Sequence, residues 1–167
     1  LVFIIDIIVN MSEFTKEIEE IFSPSGKLSH IEGFEYRREQ QVMAVNMAES
    51  LEDGKHYIIE APTGIGKSFA YLIPSILHAL KNQKKAIIST CTINLQEQLI
   101  NRDIPAIEKV LGADFTFEIL KGRNNYICSK RMNKAMIDKN SLFMTPEQAT
   151  LQKIYDFVNK TGKGTRQ

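Results

Sequence analysis

The sequence has too few cysteines for a disulfide scaffold. Cys91 and Cys128 are its only two and form no CxxC pair, so a reducing, cytoplasmic setting is the default reading. Its three histidines, His30, His56 and His78, are scattered and show no metal-ligand spacing. Charge of one sign is missing as well: 21 Lys+Arg against 20 Asp+Glu leave a net charge of +1, so any surface for nucleic acid must be local. A membrane span needs about 20 consecutive apolar residues. The opening run LVFIIDIIV falls short of that, and it lacks the basic start and the cleavage site of a secretory signal, so no membrane association is expected. Repeats and low-complexity segments are absent, and nothing in the pattern specifies a protein partner. What is present is an ordinary globular composition, 43% hydrophobic and 25% charged over 167 residues, long enough to bury a core.

Residues 1–10 precede Met11, a plausible start, and are read as a non-native leader; a buried strand is the rival reading. Phe14, Ile18, Ile21 and Phe22 recur at helical spacing in an acidic first helix that Pro24 and Gly26 end. A second helix is expected over about 37–52, with Met43, Ala44, Met47, Ala48 and Leu51 inside, and Asp53 and Gly54 as its stop. Tyr57–Ile59 reads as a buried strand, followed by a helix from Lys67 to about Asn82 that Pro74 should bend. Ala86–Ser89 and Phe115–Leu120 read as further strands, separated by a helix over about 94–110 that is interrupted near Pro105. The chain closes on a helix with Thr145 as N-cap, Pro146 at its first position and Gln148 completing a capping box. Strands alternating with helices predict an α/β domain with a parallel sheet.

The segment Glu60-Ala-Pro-Thr-Gly-Ile-Gly-Lys-Ser68 lies between an expected strand and an expected helix, as a phosphate-binding loop requires. Gly64 and Gly66 permit backbone conformations closed to other residues, so successive amide N–H groups, with Ile65 between the glycines, can face the phosphates of a nucleotide. Lys67 would reach the β- and γ-phosphates, the Ser68 hydroxyl would hold Mg²⁺, and Thr63 lines the loop. Ala61 stands where the strict pattern has a first glycine.

Ala61-Pro-Thr-Gly64 with Gly66-Lys-Ser68 resembles the first motif of superfamily 2 helicases, and three further stretches narrow the likeness to the iron-sulphur helicases of the DinG and XPD type. Phe34-Glu-Tyr-Arg37-Arg-Glu-Gln40-Gln-Val-Met43 is similar to the Q motif, which implies Arg37 and Gln40 near an adenine; a Gln amide can both donate to and accept from that base. A solvated helix position is the plainer reading of Gln40. Ile88–Leu99 resembles motif Ia, which implies contacts from Thr90 and Thr92 to single-stranded DNA, alongside plain helix capping by the same hydroxyls. Leu120-Lys-Gly-Arg123-Asn-Asn-Tyr126-Ile-Cys128 resembles the entry to an iron-sulphur domain, with Cys128 as first ligand of a [4Fe–4S] cluster; a small buried thiol is the alternative.

The resemblance implies ATP and Mg²⁺ as cofactors, single-stranded DNA as partner, and DNA unwinding coupled to ATP hydrolysis in full-length relatives. It divides the chain into a truncated RecA-like ATP-binding domain over 11–121 and the start of an iron-sulphur domain over 122–167. Two cysteines cannot supply four thiolates, so the cluster is not expected to assemble in this chain. No DEAH-like tetrad occurs, and LVFIID at 1–6, which has the form of a Walker B strand, precedes the loop and lacks a following acid. The chain is therefore read as the N-terminal fragment of a helicase, with turnover in isolation not expected. A nucleotide-binding-only or inert remnant is the alternative, and a P-loop small-molecule kinase a lesser one. Residues 121–140 hold Lys121, Arg123, Lys130, Arg131, Lys134 and Lys139 against the single acid Asp138. This run, with Arg123, Lys130 and Arg131 foremost, reads either as a track for DNA phosphates or as a solvated helix face. Tyr126 reads equally as a stacking face for a base or as a packing residue.

Overall fold

The computed structural model describes residues 11–161 and divides into two compact units, one reaching Phe117 and the other beginning at Glu118. Residues 1–10, including the leader and the LVFIID run, lie outside the described residues, as does the polar tail from 162.

The first unit is built on amphipathic helices. α1 (Glu13–Ile21) starts where the Ser12 hydroxyl accepts from the Thr15 N–H at 3.0 Å, and it buries Phe14, Ile18 and Ile21. A 3₁₀ turn over Lys27–His30 inserts the fully buried Leu28. α2 (Arg38–Asp53) turns Met43, Ala44 and Ala48 inward and stops at Gly54, in the left-handed conformation of a helix C-cap. α3 (Lys67–Asn82) packs along α2 through Ala70, Leu72, Ile73 and Leu77. Pro74 sits inside α3 without ending it and is itself fully buried. An ion pair between Lys81 and Glu17 at 2.6 Å, with the same ammonium 5.0 Å from the Phe14 ring centroid, ties the end of α3 to α1.

The interruption expected near Pro105 takes a definite form. α4 (Ile93–Gln98) widens into a π turn over Leu99–Asp103 before α5 (Ile104–Leu111) resumes the regular pitch. Pro105 has no N–H to offer a carbonyl one turn back, and its ring crowds that carbonyl. The chain answers with a longer bond, from the Ile104 N–H to the Leu99 carbonyl. Leu99 and Ile107 then join the core.

The expectation of an α/β domain with a parallel sheet is overturned: among the described residues there is no strand and the architecture is helical. The runs 57–60, 86–89 and 115–120 carry no regular structure, and Ile58 is 95%, Ile87 91% and Leu120 85% exposed. A short apolar run becomes a strand only when a neighbour takes up its backbone N–H and C=O groups, and among the described residues none of these three is paired in a ladder.

The second unit contains a 3₁₀ turn (Arg123–Asn125), α6 (Ser129–Ile137), the short α7 (Lys139–Leu142) and α8 (Thr145–Thr161). None of its side chains described here is buried. The start of α8 departs from expectation by one residue. Glu147 Oε2 accepts from the Met144 N–H at 3.1 Å, so Met144 stands at the cap position and Glu147 supplies only the carboxylate half of a capping box; Gln148 instead donates to the Phe143 carbonyl at 2.8 Å.

Candidate nucleotide site and nucleic-acid contacts

Residues 61–66 form a turn, exposed at 62–64 and half-buried at 61, 65 and 66, that leads into α3 with Gly66 as the helix N-cap. Gly64 has φ 90° and Gly66 has φ 82°, a region in which a side chain would be strained. Both turn residues therefore suit the close backbone curvature of an anion nest at a helix start. The Lys67 ammonium folds back across the loop and donates to the Ala61 carbonyl at 2.7 Å and the Pro62 carbonyl at 2.9 Å. Thr63 and Gly64 are exposed, while Ile65, Lys67 and Ser68 are half-buried.

Two side chains from the neighbouring segment reach this loop. Gln40 is 3% exposed, so it is no solvated helix position, and its Nε2 donates to the Gly66 carbonyl at 2.9 Å. Arg37 donates from Nη1 to the Gly64 carbonyl at 2.6 Å and pairs through Nη2 with Glu35 at 3.0 Å.

Below the loop, burial pushes the Tyr71 phenol above its usual range; a hydrogen bond with Ser68 opposes that shift and the Asp103 carboxylate adds to it. Asp103 is buried, held by Gln98 Nε2 at 3.0 Å and Arg102 Nε at 3.0 Å. The sequence reading missed Glu35, Tyr71 and Asp103. Tyr71 was within reach of it, because a residue three positions after Ser68 on a helix shares its face.

Thr92 caps α4, its hydroxyl accepting from the Leu95 N–H at 3.3 Å, and the Thr90 hydroxyl donates to the Thr92 carbonyl at 3.2 Å. Together with Met47, Tyr71 and Leu95 these threonines line an open cavity of about 540 Å³.

In the second unit, Arg123, Lys130 and Arg131 are exposed, and Lys130 and Arg131 lie in the first turn of α6. Tyr126 is 37% exposed and its hydroxyl accepts from the Lys121 N–H at 2.8 Å. Cys128, the cap of α6, is exposed rather than buried. The Arg131 backbone N–H draws its thiol below the usual range, with desolvation opposing it; the Lys130 N–H and the charges of Arg131 and Lys130 add to the lowering. Among the described residues no group of His, Cys, Asp and Glu could hold a metal ion, and two cysteines do not fit a four-thiolate cluster. No helix among the described residues is long and apolar enough to cross a membrane.

The family model described as DEAD/DEAH box helicase matches residues 38–165. An ATP-dependent DNA helicase YoaA of Haemophilus influenzae is 40% identical over 153 residues, covering 91% of this chain and 23% of that protein. An ATP-dependent DNA helicase DinG of Photobacterium profundum is 34% identical over 161 residues, 93% of this chain and 23% of that protein. A protein of Bacillus subtilis named 3'-5' exonuclease DinG is 36% identical over 139 residues, 81% of this chain and 15% of that protein. The chain belongs to the DEAD/DEAH box helicase family, in which ATP with Mg²⁺ and a nucleic acid are the ligands, and it spans less than a quarter of the length of these relatives.

Proposed function

We propose that this chain is the nucleotide-binding part of an ATP-dependent DNA helicase that moves along single strands. The observation that carries the reading is the loop itself: two left-handed glycines, a lysine reaching back across them, and a helix N-terminus immediately behind. Its charge and backbone donors fit a phosphate chain. Gly64 and Gly66 shape the nest, and Thr63 and Ile65 belong to its wall. Lys67 exchanges two carbonyls for phosphate oxygens, and the Ser68 hydroxyl is the ligand offered to Mg²⁺. Bound there, Mg²⁺·ATP supplies a phosphoanhydride whose hydrolysis would drive movement on DNA. Arg37 and Gln40 belong to the same site.

Residues 11–121 are proposed as the ATP-binding region and 122–167 as the entry to an iron-sulphur domain. Cys128 would be its first ligand, the other three thiolates coming from outside this chain. Thr90, Thr92, Arg123, Lys130 and Arg131 are proposed to meet the DNA backbone, through hydroxyl and cationic contacts that carry no sequence information. Turnover by this chain alone is not expected.

Calorimetric titration with Mg²⁺·ATP, with and without single-stranded DNA, tests the reading. Saturable ATP binding without steady hydrolysis is the expected result. Absence of nucleotide binding would leave an inert remnant, and phosphorylation of an added small molecule would favour a kinase.

A further inference from the structure

The π turn between α4 and α5 changes which side chains face the core. In an unbroken α-helix, residues five apart stand about 140° from one another, so Leu99 and Ile104 would point to different sides. The bond from the Ile104 N–H to the Leu99 carbonyl widens the turn and brings the two toward one side. Leu99 is 5% and Ile104 8% exposed, and Asp103, one position before Ile104, is drawn in with them to 3%. A carboxylate at that depth must be paired. Its Oδ1 accepts from Arg102 Nε and its Oδ2 from Gln98 Nε2, each at 3.0 Å.

Gln98 is the last residue of α4, a helix that buries none of its six residues. Leu95 packs half-buried on the core, and one turn later the Gln98 amide grips Asp103. A helix of this length is a rod of about 9 Å, so holding it at both points fixes the direction of its far end. That end carries Thr92 as the cap and Thr90, whose hydroxyl donates to the Thr92 carbonyl. From this geometry we infer that Asp103 is a positioning residue: through Gln98 it sets the direction of α4 and so presents the Thr90 and Thr92 hydroxyls to a DNA backbone. The inference rests on the DNA contacts proposed above for the two threonines and adds the buried group that aims them.

The test measures the affinity of a labelled oligo-dT by fluorescence anisotropy. Thr90→Val/Thr92→Val, which removes the hydroxyls, should weaken binding about tenfold, the scale of lost hydrogen bonds to a charged group. Gln98→Met keeps the length of the side chain but cannot donate, and should weaken binding several-fold. Added to Thr90→Val/Thr92→Val, it should cost nothing further, because the hydroxyls it misaims are already gone. A Gln98→Met variant that binds as the parent does, or that loses as much again in the threonine background, would overturn the inference. Reversing the polarity of the contact supplies a rescue. Gln98→Glu sets a second carboxylate against Asp103 and should weaken binding; with Asp103→Asn added, an amide again meets a carboxylate at unchanged net charge, and affinity should return. Failure of that rescue would also count against it. A further measurement needs no DNA: amide hydrogen exchange over residues 95–98 should accelerate several-fold in Gln98→Met, with α2 and α3 still protected, and unchanged exchange would overturn the anchor. If the parent binds no DNA, or Thr90→Val/Thr92→Val binds as the parent does, the proposed DNA contacts fail while the exchange measurement still decides whether Asp103 holds α4.

Discussion

The Lys67 ammonium lies 2.7 Å from the carbonyl oxygen of Ala61, so the cation of the loop is held by the peptide that leads into it. The second carbonyl it bonds belongs to the exposed Pro62, where water can replace it. Lys67→Ala should therefore melt close to the parent when no ligand is present. A ligand at a hundred times its Kd stabilises by about 2.7 kcal/mol. Thermal melts should show a stabilisation of that order by saturating Mg²⁺·ATP in the parent and none in Lys67→Ala. A variant that keeps the shift would show that Lys67 does not hold the nucleotide.

Alanine at Gly66 and at Gly54 separates conformational strain from collision. Both glycines are left-handed, at φ 82° and φ 64°, so each substitution carries a strain of about 1–2 kcal/mol. Around Gly54 nothing lies within 4 Å of the added Cβ, whereas at Gly66 it would fall 2.2 Å from Gln40 Nε2. Gly54→Ala should lose only the strain. Gly66→Ala should lose more, because Gln40 must leave the Gly66 carbonyl and stay buried without that partner. Urea denaturation of the two variants measures the difference, and equal losses would count against the apposition.

Local signals in the sequence sufficed wherever the cause was local. The 3.6-residue apolar period and the glycines at 54 and 66 define α2 and α3, and Pro105 marks the break that becomes a π turn. The cap of α8 was misplaced by one position because Glu147 and Gln148 are both acceptable partners by residue type, and only geometry chooses Glu147. The strands failed for a different reason. Ile58 and Ile87 have strand-like neighbours in sequence, but a sheet is a relation between segments, and these stay exposed. The turn ahead of α3 was legible from Gly64, Gly66 and Lys67. The approach of Arg37 and Gln40 to its carbonyls was not, since it depends on how α2 lies against α3.

Cys128 should react as a thiolate at lower pH than an ordinary cysteine. Donation from the Arg131 backbone N–H favours the charged sulphur, with smaller help from Lys130 and from both cationic side chains. Because the folded value is the depressed one, the associated stability is fully present above the unfolded thiol's range. It is lost as pH falls through the folded value. In a Cys91→Ser background, the pH midpoint for alkylation by iodoacetamide should move upward when the chain is unfolded in urea. A midpoint that is the same folded and unfolded would mean that the cap of α6 does not tune this thiol.

Lys130, Arg131 and Lys134 are all exposed on α6, and Lys130 and Arg131 stand in its first turn, four and three positions ahead of Lys134 respectively. Residues at that spacing share a helix face, so the three charges form one local patch on a chain whose net charge is only +1. If the patch follows a DNA backbone, each neutralised phosphate adds about 0.7 to the slope of log affinity against log salt for a single strand. Replacing Lys130, Arg131 and Lys134 together by Ala should lower the magnitude of that slope by about 2 and weaken binding of a labelled oligo-dT at low salt. Purine and pyrimidine strands should lose affinity alike, because phosphate contacts carry no sequence information. The alternative, a merely solvated helix face, predicts that the triple variant and the parent have the same affinity and the same salt slope. Fluorescence anisotropy at several salt concentrations distinguishes the two, and identical slopes would remove α6 from the DNA track.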